Sequence, residues 1–460
     1  MTVPWYGLLP FAALLAAIAT FPLMPATRHL WEKRRFQLLV ALTLGLPMAA
    51  WCWSLGGKAE VIHAVVEYAS FITLLFSLFV VSGGVFVAGD IRATPRNNTL
   101  FLAAGAVLAS LIGTTGAAML LVRPLLNTNR ERKHKVHTLV FTILVIANCG
   151  GLLTPLGDPP LFLGLLRGVP FLWTLKLFPE WLFVNGMLLL SYYAVDSAAW
   201  RREEIPDLVR DATEVRPLAI HGKGSVLLLG VIVAAVALVP SVDLHAIREG
   251  HAPVAAWIPF REIVLLTAAA LSFLLGDRKT RFTDNRFEWG PIQEVAALFV
   301  GIFLTMVPAL TFLAQKAPEL PLNRVTFFLF SGGLSSVLDN APTYATFFEL
   351  AKALGGEPAV AGVREAFLVS ISLGSVFCGA MTYIGNGPNF MVKAIAESDG
   401  VPMPSFGGYV AKWALVHLAP VLALMVGIFI VENPAVRLTS AILALLLAAA
   451  NVSRVASLRR

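Results

Sequence analysis

Two aspartates interrupt otherwise apolar stretches of this chain. Asp158 lies between Gly157 and two prolines, and Asp339 directly precedes Asn340. Proline removes backbone donors and frees carbonyl oxygens of the preceding turn. Carbonyls, hydroxyls, amides and a carboxylate are hard oxygen ligands that suit a small cation. A partly desolvated carboxylate has a raised pKa, so it can hold either a proton or a sodium ion. Asp158 and Asp339 are therefore the predicted sodium ligands.

The segments around these residues are repeated within the chain. The pattern T-x-x-G-[D/N]-x-P-x-F begins at Thr154 and again at Thr382, 228 residues later. Two further blocks recur at nearly the same distance, Glu67 with Glu294 and Ser110 with Ser336. In this register Asp158 is matched by Asn386 and Asp339 by Gly113. Each repeat therefore contributes one carboxylate to the predicted ion site. The predicted ligands are Asp158, Thr114, Thr115 and Thr154 from the first repeat, and Asp339, Asn340, Thr382 and Asn386 from the second.

Three other ionisable residues have two interpretations each. Glu67 and Glu294 occupy matching positions near the start of an apolar span. A proton-relay role and a structural pairing role are about equally supported for both. Arg123 either snorkels toward the membrane surface or balances Asp158, and snorkelling is favoured.

Composition identifies the elements that must position these residues. Hydrophobic residues make up 57% of the 460 residues and charged residues 14%. A soluble protein could not bury so much apolar surface, so a polytopic membrane protein is expected. The net charge of +7 comes from short basic clusters between apolar spans, which excludes nucleic acid as a partner and predicts membrane lipid instead. The three cysteines have no metal-site or disulfide spacing.

A span needs about 20 apolar residues. The sequence predicts an all-α fold with about 11 transmembrane helices, including single spans over 61–89 and 406–431. Residues 98–126 and 323–351 carry polar interruptions and are predicted to be re-entrant hairpins. With the first hairpin opening inward and the second outward, most of the 35 basic residues fall inside. The N-terminus is then outside and the C-terminus cytoplasmic.

This layout divides the chain into five predicted parts. They are N-terminal scaffold helices (1–60), repeat 1 with its hairpin and broken helix (61–199), a two-helix linker (200–290), repeat 2 (291–431) and a C-terminal helix (432–460). The two repeats run in opposite directions across the membrane. Inverted repeats with broken helices are typical of secondary transporters, whose substrate site lies where the breaks meet.

The motifs resemble those of the ion transporter superfamily, in its branch of NhaD-type sodium/proton antiporters, arsenite permeases and citrate-type transporters. The stretch from Ala147-Asn148 to Gly157-Asp158 is similar to the antiporter motif N-x-G-G-x-x-x-P-[IL]-G-D, and Asp339-Asn340-Ala341-Pro342 to D-N-x-P. The resemblance implies an elevator-type transporter in a bacterial cytoplasmic membrane, usually a homodimer, with Asn148 and Gly157 in its ion site. The antiporters also have Asp-Asn at the first hairpin tip, where this chain has Gly113-Thr114-Thr115.

Two transport functions follow from these observations. Sodium/proton antiport leads, because two carboxylates without a clear inward-facing arginine suit competition between a proton and a cation. Sodium- or proton-coupled symport of citrate or a related organic anion is the alternative, because half-helix N-termini can hold an anion. An intramembrane aspartyl protease and a passive channel are disfavoured, the first by Pro155 and the inverted repeat and the second by the broken helices. No enzymatic activity and no cofactor beyond the transported or coupling ions are expected.

Overall fold

The computed structural model describes residues 2–22, 24–31, 33–213, 215–243, 247 and 253–459, and this part of the chain is almost entirely helical. It includes seven helices that are long and apolar enough to cross a membrane: Arg34–Ser54, Lys58–Ser82, Val136–Leu153, Phe171–Trp200, Gly290–Glu319, Phe406–Ile430 and Pro434–Leu458. Three shorter apolar helices accompany them, Trp5–Thr20, Lys223–Leu238 and Glu365–Met381. The chain is therefore a polytopic membrane protein.

The first half of the chain contains the predicted scaffold helices, the helices of predicted repeat 1 and the first helix of the predicted linker. They are α1 (Leu9–Thr20), α2 (Pro25–Trp31), α3 (Arg34–Ser54), α4 (Lys58–Ser82), α5 (Pro95–Ile112), α6 (Thr114–Thr128), α7 (Val136–Phe141), α8 (Pro159–Leu166), α9 (Phe178–Trp200) and α10 (Ile205–Thr213). Helices α5 and α6 form a hairpin, which we call hairpin 1. The chain reverses at Gly113, whose φ of 84° is a conformation that glycine adopts without strain.

The second half contains the other helices of the predicted linker, the helices of predicted repeat 2 and the C-terminal helix. Its helices are α11 (Lys223–Leu238), α12 (Phe260–Leu275), α13 (Gly290–Lys316), α14 (Arg324–Ser335), α15 (Asn340–Leu354), α16 (Glu365–Phe377), α17 (Gly387–Ser398), α18 (Phe406–Tyr409), α19 (Ala419–Met425) and α20 (Pro434–Arg459). Helices α14 and α15 form hairpin 2. An Asn323 capping box fixes its start, because the Asn323 side chain accepts from the Val325 and Thr326 amides.

Two small antiparallel sheets correct the all-α prediction. Strand β1 (Phe86–Asp90) pairs with β2 (Arg216–His221), and β3 (Ala359–Val360) pairs with β4 (Val363–Arg364). The predicted span over 61–89 is wrong at its end, since α4 stops at Ser82 before two glycines. Residues 86–90 instead pair with β2 of the linker. Hydropathy along one apolar segment cannot reveal such a pairing.

Helices α3, α4 and α13 pack closely around small and aromatic residues. A side chain at Gly301 would lie only 2.7 Å from the Cα atom of Ala41, so glycine lets α3 and α13 approach. Phe71 of α4 stacks on Phe299 of α13 with ring centroids 5.0 Å apart. These three helices form a wall against which both hairpins and the short helix α8 pack.

Candidate functional site

The first chain break lies between α7 and α8. The α-helix gives way to a π-helical turn over Thr142–Ile146 and then to a 3-10 turn over Cys149–Leu153. Asp158 has an extended backbone, with φ −141° and ψ 142°, because the following proline disfavours the helical conformation. Proline is well suited to the first helical position, so α8 begins at Pro159 and Asp158 becomes its N-cap residue.

The second chain break repeats this geometry. A 3-10 turn over Cys378–Met381 follows α16, and Asn386 is extended, with φ −153° and ψ 138°. Asn386 is the N-cap residue of α17, in which proline is the second residue. Asp158 and Asn386 therefore occupy equivalent positions in the two repeats.

Each hairpin is fastened to the break of its own repeat by a serine and threonine pair. The Thr154 hydroxyl donates to the Ser110 carbonyl, and the Thr382 hydroxyl donates to the Ser336 carbonyl at 2.5 Å. Each threonine oxygen also accepts from the backbone amide two residues later, at 3.2 Å in both repeats. The structure thus places Thr154 and Thr382 as anchors of the breaks rather than as neighbours of Asp158.

Asp158 is the centre of the polar cluster where the two breaks meet. The Thr114 hydroxyl donates to its Oδ1 at 2.9 Å, the Asn386 amide to the same oxygen at 3.2 Å, and the Asn340 amide to Oδ2 at 2.5 Å. Asp158 is 1% exposed. Thr114 and Asn340 are equivalent positions at the two hairpin tips, so both repeats contribute to one carboxylate. Gly157 supports the arrangement, since its carbonyl accepts from the Thr114 amide at 2.7 Å.

The charge of Asp158 has no basic partner. No lysine, arginine or histidine of the described ranges forms an ion pair with this carboxylate. The neighbouring Asn340 is fully buried, and its Oδ1 atom accepts no hydrogen bond. A buried charge without a partner is unfavourable, and an orphaned buried oxygen adds to that cost. The cluster thus offers two oxygen ligands to a proton or a metal cation.

Helix N-termini compensate part of this charge. Helices α6, α8, α15 and α17 all begin at the cluster, at Thr114, Pro159, Asn340 and Gly387. The N-terminus of a helix is equivalent to roughly half a positive charge. Four such ends lie at two carboxylates, because Asp339 caps α15, so their partial charges are balanced until a proton or cation neutralises one of these acids.

Two buried asparagines connect the breaks. Asn148 donates to the Asn389 side chain at 2.6 Å and to the Ile143 carbonyl at 2.8 Å, and its own Oδ1 accepts from Asn386 at 3.3 Å. Asn389 donates to two carbonyls of the second break, at 2.8 and 2.9 Å. Asn148 is among the predicted site residues, whereas Asn389 is not. Its polar side chain within the Gly-Pro-Asn-Phe run of the second repeat was an available signal.

The other predicted ligands lie at the edge of the cluster. Asp339 is half-buried and caps α15 by accepting from the Ala341 amide at 3.1 Å, without a bond to Asp158. Covalent geometry limits the separation of the Asp158 and Asp339 carboxylates to about 14 Å, because Asn340 contacts Asp158 and adjoins Asp339. Thr115 is half-buried and lines a cavity of about 70 Å³ beside Asp158, together with residues of α4 and α13.

The two matched glutamates are both ion-paired away from Asp158. Glu67 accepts two bonds from Arg167, at 2.8 and 3.3 Å. Glu294 is more exposed and pairs with Arg34 at 2.7 Å. Arg123 is half-buried in α6 and forms no ion pair with Asp158 among the described residues, and its snorkelling stays a prediction.

Comparisons with known proteins agree with a transport site. Residues 1–430 match the sequence profile of a family described as "Putative citrate transport". Two relatives are uncharacterised transporters of Mycobacterium tuberculosis and Mycobacterium bovis. Each is 26% identical over 354 residues, which cover 72% of this chain and 76% of the relative.

Proposed function

Since this chain belongs to the citrate transport family, we propose that it is a secondary transporter that carries citrate or a related organic anion together with a cation bound at Asp158. The observation that carries this proposal is the convergence of four helix N-termini on one buried carboxylate. Roughly half a positive charge at each end balances the Asp158 and Asp339 carboxylates, so a cation or proton bound at Asp158 leaves positive partial charge over. The remainder favours a second anion, which the substrate carboxylates supply.

The coupling cation binds at Asp158 and neutralises its charge. A proton or sodium ion at Asp158 would use the Asp158 carboxylate, the orphaned Asn340 Oδ1 and the Thr114 hydroxyl, all oxygen ligands of the kind that sodium prefers. Occupation by a cation neutralises Asp158 and leaves the helix N-termini available to the substrate. Binding of the two ions is therefore mutually favourable, and this linkage couples their transport.

Sodium/proton antiport is the second candidate function. It is favoured by the lack of a basic partner for Asp158 among the described residues, since a proton and a sodium ion would compete for this one acid. The two candidates differ in whether cation movement requires an organic anion.

The membrane arrangement is part of the proposal. We infer that both hairpins are re-entrant and that the protein is a homodimer of the bacterial cytoplasmic membrane. In the proposed elevator motion, the breaks and hairpins move as one unit relative to the wall of α3, α4 and α13. Four short helices begin at one buried cluster, and each is too short to cross a bilayer alone. This arrangement supports re-entrance.

Purified protein in liposomes tests the function. We expect imposed sodium or proton gradients to drive uptake of labelled citrate, or of a di- or tricarboxylate tested beside it. Without an organic anion, the same gradients should not exchange across the membrane. Sodium-driven proton movement without added anion, and no uptake of any carboxylate, would instead support antiport.

A further inference from the structure

The pair of matched glutamates is used differently by the two repeats. Glu67 of α4 is 5% exposed and is bound in a two-bond ion pair by Arg167, the residue that ends α8. Glu294 of α13 is more exposed and pairs with Arg34 of α3, which belongs to the same helical wall. The position equivalent to Arg167 in repeat 2 is Ile395, which has no charge. One glutamate therefore joins the wall to the polar cluster, and the other does not.

Arg167 is linked rigidly to the candidate site. Helix α8 connects it to Asp158 over eight residues, and its guanidinium also donates to the Ala345 carbonyl of hairpin 2 at 3.0 Å. Glu349 of the same hairpin lies 3.4 Å from it. Any displacement of the cluster relative to the wall must carry Arg167 with it. The ion pair with Glu67 then has to break, because Glu67 belongs to the wall.

An aromatic layer lies beside this ion pair. Phe71 is one helical turn beyond Glu67 on α4 and packs against Phe162 of α8, with ring centroids 6.5 Å apart, and against two phenylalanines of α13. Phe71 and Phe162 are essentially fully buried. The ion pair and the aromatic layer together close one end of the α4–α8 interface. The distribution of basic residues along the chain predicts that this end faces the outside of the cell.

A small, partly enclosed cavity lies at the opposite end of the same interface. The cavity beside Asp158 is lined by Leu75 and Leu78 of α4, by the tip of hairpin 1 and by Ile292 and Val295 at the start of α13. These residues lie toward the end of α4 and the beginning of α13, on the predicted cytoplasmic side. The structure is therefore closed at Glu67 and accessible near Glu294.

We propose that Glu67 and Arg167 form a latch that holds the outer access route shut while Asp158 is open to the cytoplasmic cavity. This inference rests on the proposed transport function. Removing the Glu67 charge leaves Arg167, which is buried, with only the longer ion pair to Glu349 at 3.4 Å, so its charge is less well compensated. Loss of the Glu67 charge therefore favours the state in which Arg167 reaches water, and the population shifts toward outward access.

Single-cysteine labelling tests the latch without requiring transport. The background replaces Cys52, Cys149 and Cys378 by alanine, and all three are buried. Leu75→Cys reports the cytoplasmic cavity, and Ala345→Cys, fully buried beside Arg167, reports the outer interface. With membrane-impermeant maleimide, we expect the first to react from inside and the second to resist reaction from outside.

Glu67→Gln should reverse this pattern, with at least a several-fold rise in labelling of Ala345→Cys from outside and a fall at Leu75→Cys from inside. Glu294→Gln is the matched control and should leave both labelling rates unchanged. If Glu67→Gln is not recovered folded, Glu67→Asp, which retains the charge on a shorter side chain, should show an intermediate change.

Equal outer labelling of Ala345→Cys in the parent and in both Glu67 variants would overturn the latch. Because the readout is accessibility, this result is distinct from failure of the proposed function. That failure would appear as an absence of carboxylate uptake, whatever the labelling pattern.

Discussion

Replacing Asp158 by asparagine should remove cation coupling without unfolding the protein. Three donors point at the two carboxylate oxygens, from Thr114, Asn386 and Asn340. An asparagine oxygen at the Oδ1 position keeps the bonds from Thr114 and Asn386. The NH2 group of the new asparagine then faces the Asn340 side-chain amide. If the Asn340 amide turns over, its Oδ1 atom, which accepts no hydrogen bond in the parent protein, becomes the acceptor for this group. All three contacts persist.

The structural argument gives a magnitude for stability. With three neutral hydrogen bonds retained and a buried charge removed, Asp158→Asn should change the free energy of unfolding by no more than about 1 kcal/mol. Asp158→Ala instead leaves the Thr114 and Asn340 donors unsatisfied, at about 1–3 kcal/mol each, a total on the order of 2–6 kcal/mol, while Asn386 still donates to the Ala147 carbonyl and to Asn148. This is a large part of the stability of an ordinary domain. The alanine variant should therefore be poorly folded, whereas the asparagine variant is not.

Thermal unfolding in detergent and uptake in liposomes measure the two effects together. Asp158→Asn should unfold close to the parent temperature, and its carboxylate uptake should lose all acceleration by sodium or proton gradients. Asp277→Asn is the matched control, because this exposed aspartate also accepts three hydrogen bonds but lies outside the cluster. Gradient-driven uptake retained in Asp158→Asn would refute Asp158 as the coupling group. A strong loss of stability in the same variant would refute the hydrogen-bond reasoning.

Two further predictions concern regions outside the cluster. Burial and, next, the charge of Glu131 raise the pKa of Asp90 to about 6, so the folded state binds its proton more tightly than the unfolded chain does. Stability should therefore fall as the pH rises from about 4 through about 6, and pH-dependent melting curves should show that Asp90→Asn removes this decrease. For topology, Lys316→Cys and Lys352→Cys, both at exposed positions, should label from outside intact cells, and Arg96→Cys should label only from inside. Labelling of the first two variants from opposite sides would contradict the inverted repeats.

The contacts at Asp158 were accessible from the sequence because they obey the repeat. Thr114 is equivalent to Asn340, and Asp158 to Asn386, and these four residues meet in one cluster. Polar residues retained in two copies of an apolar segment need partners, and the copies supply them to each other. The same logic identifies Thr154 as a polar residue of the break, but it cannot distinguish a ligand from a backbone anchor.

Other contacts could not be predicted, because the repeats differ there. Asn389 corresponds to Leu161 in the first repeat, so no second copy drew attention to it, although it is fully buried and bridges the two breaks. Arg167 has no charged equivalent either. The pairing of β1 with β2 joins residues more than a hundred positions apart, and no local pattern specifies that partner.

The difference between the repeats bears directly on the proposed transport. In a fully symmetric site, two carboxylates would lie about 3 Å apart and would share one proton. Here the position equivalent to Asp158 is an amide, and that amide donates to Asp158 instead of competing with it. The acid at the meeting point can therefore bind or release a cation without a second carboxylate in contact with it, since Asp339 lies at the edge of the cluster and forms no bond with Asp158. The wall is asymmetric in the same way, since of the two matched glutamates Glu67 is paired with Arg167 of the moving side and Glu294 with Arg34 of the wall. Two equivalent halves thus supply a single buried carboxylate where the breaks meet and a single ion pair between the wall and α8, which act as coupling group and latch in the proposed transport.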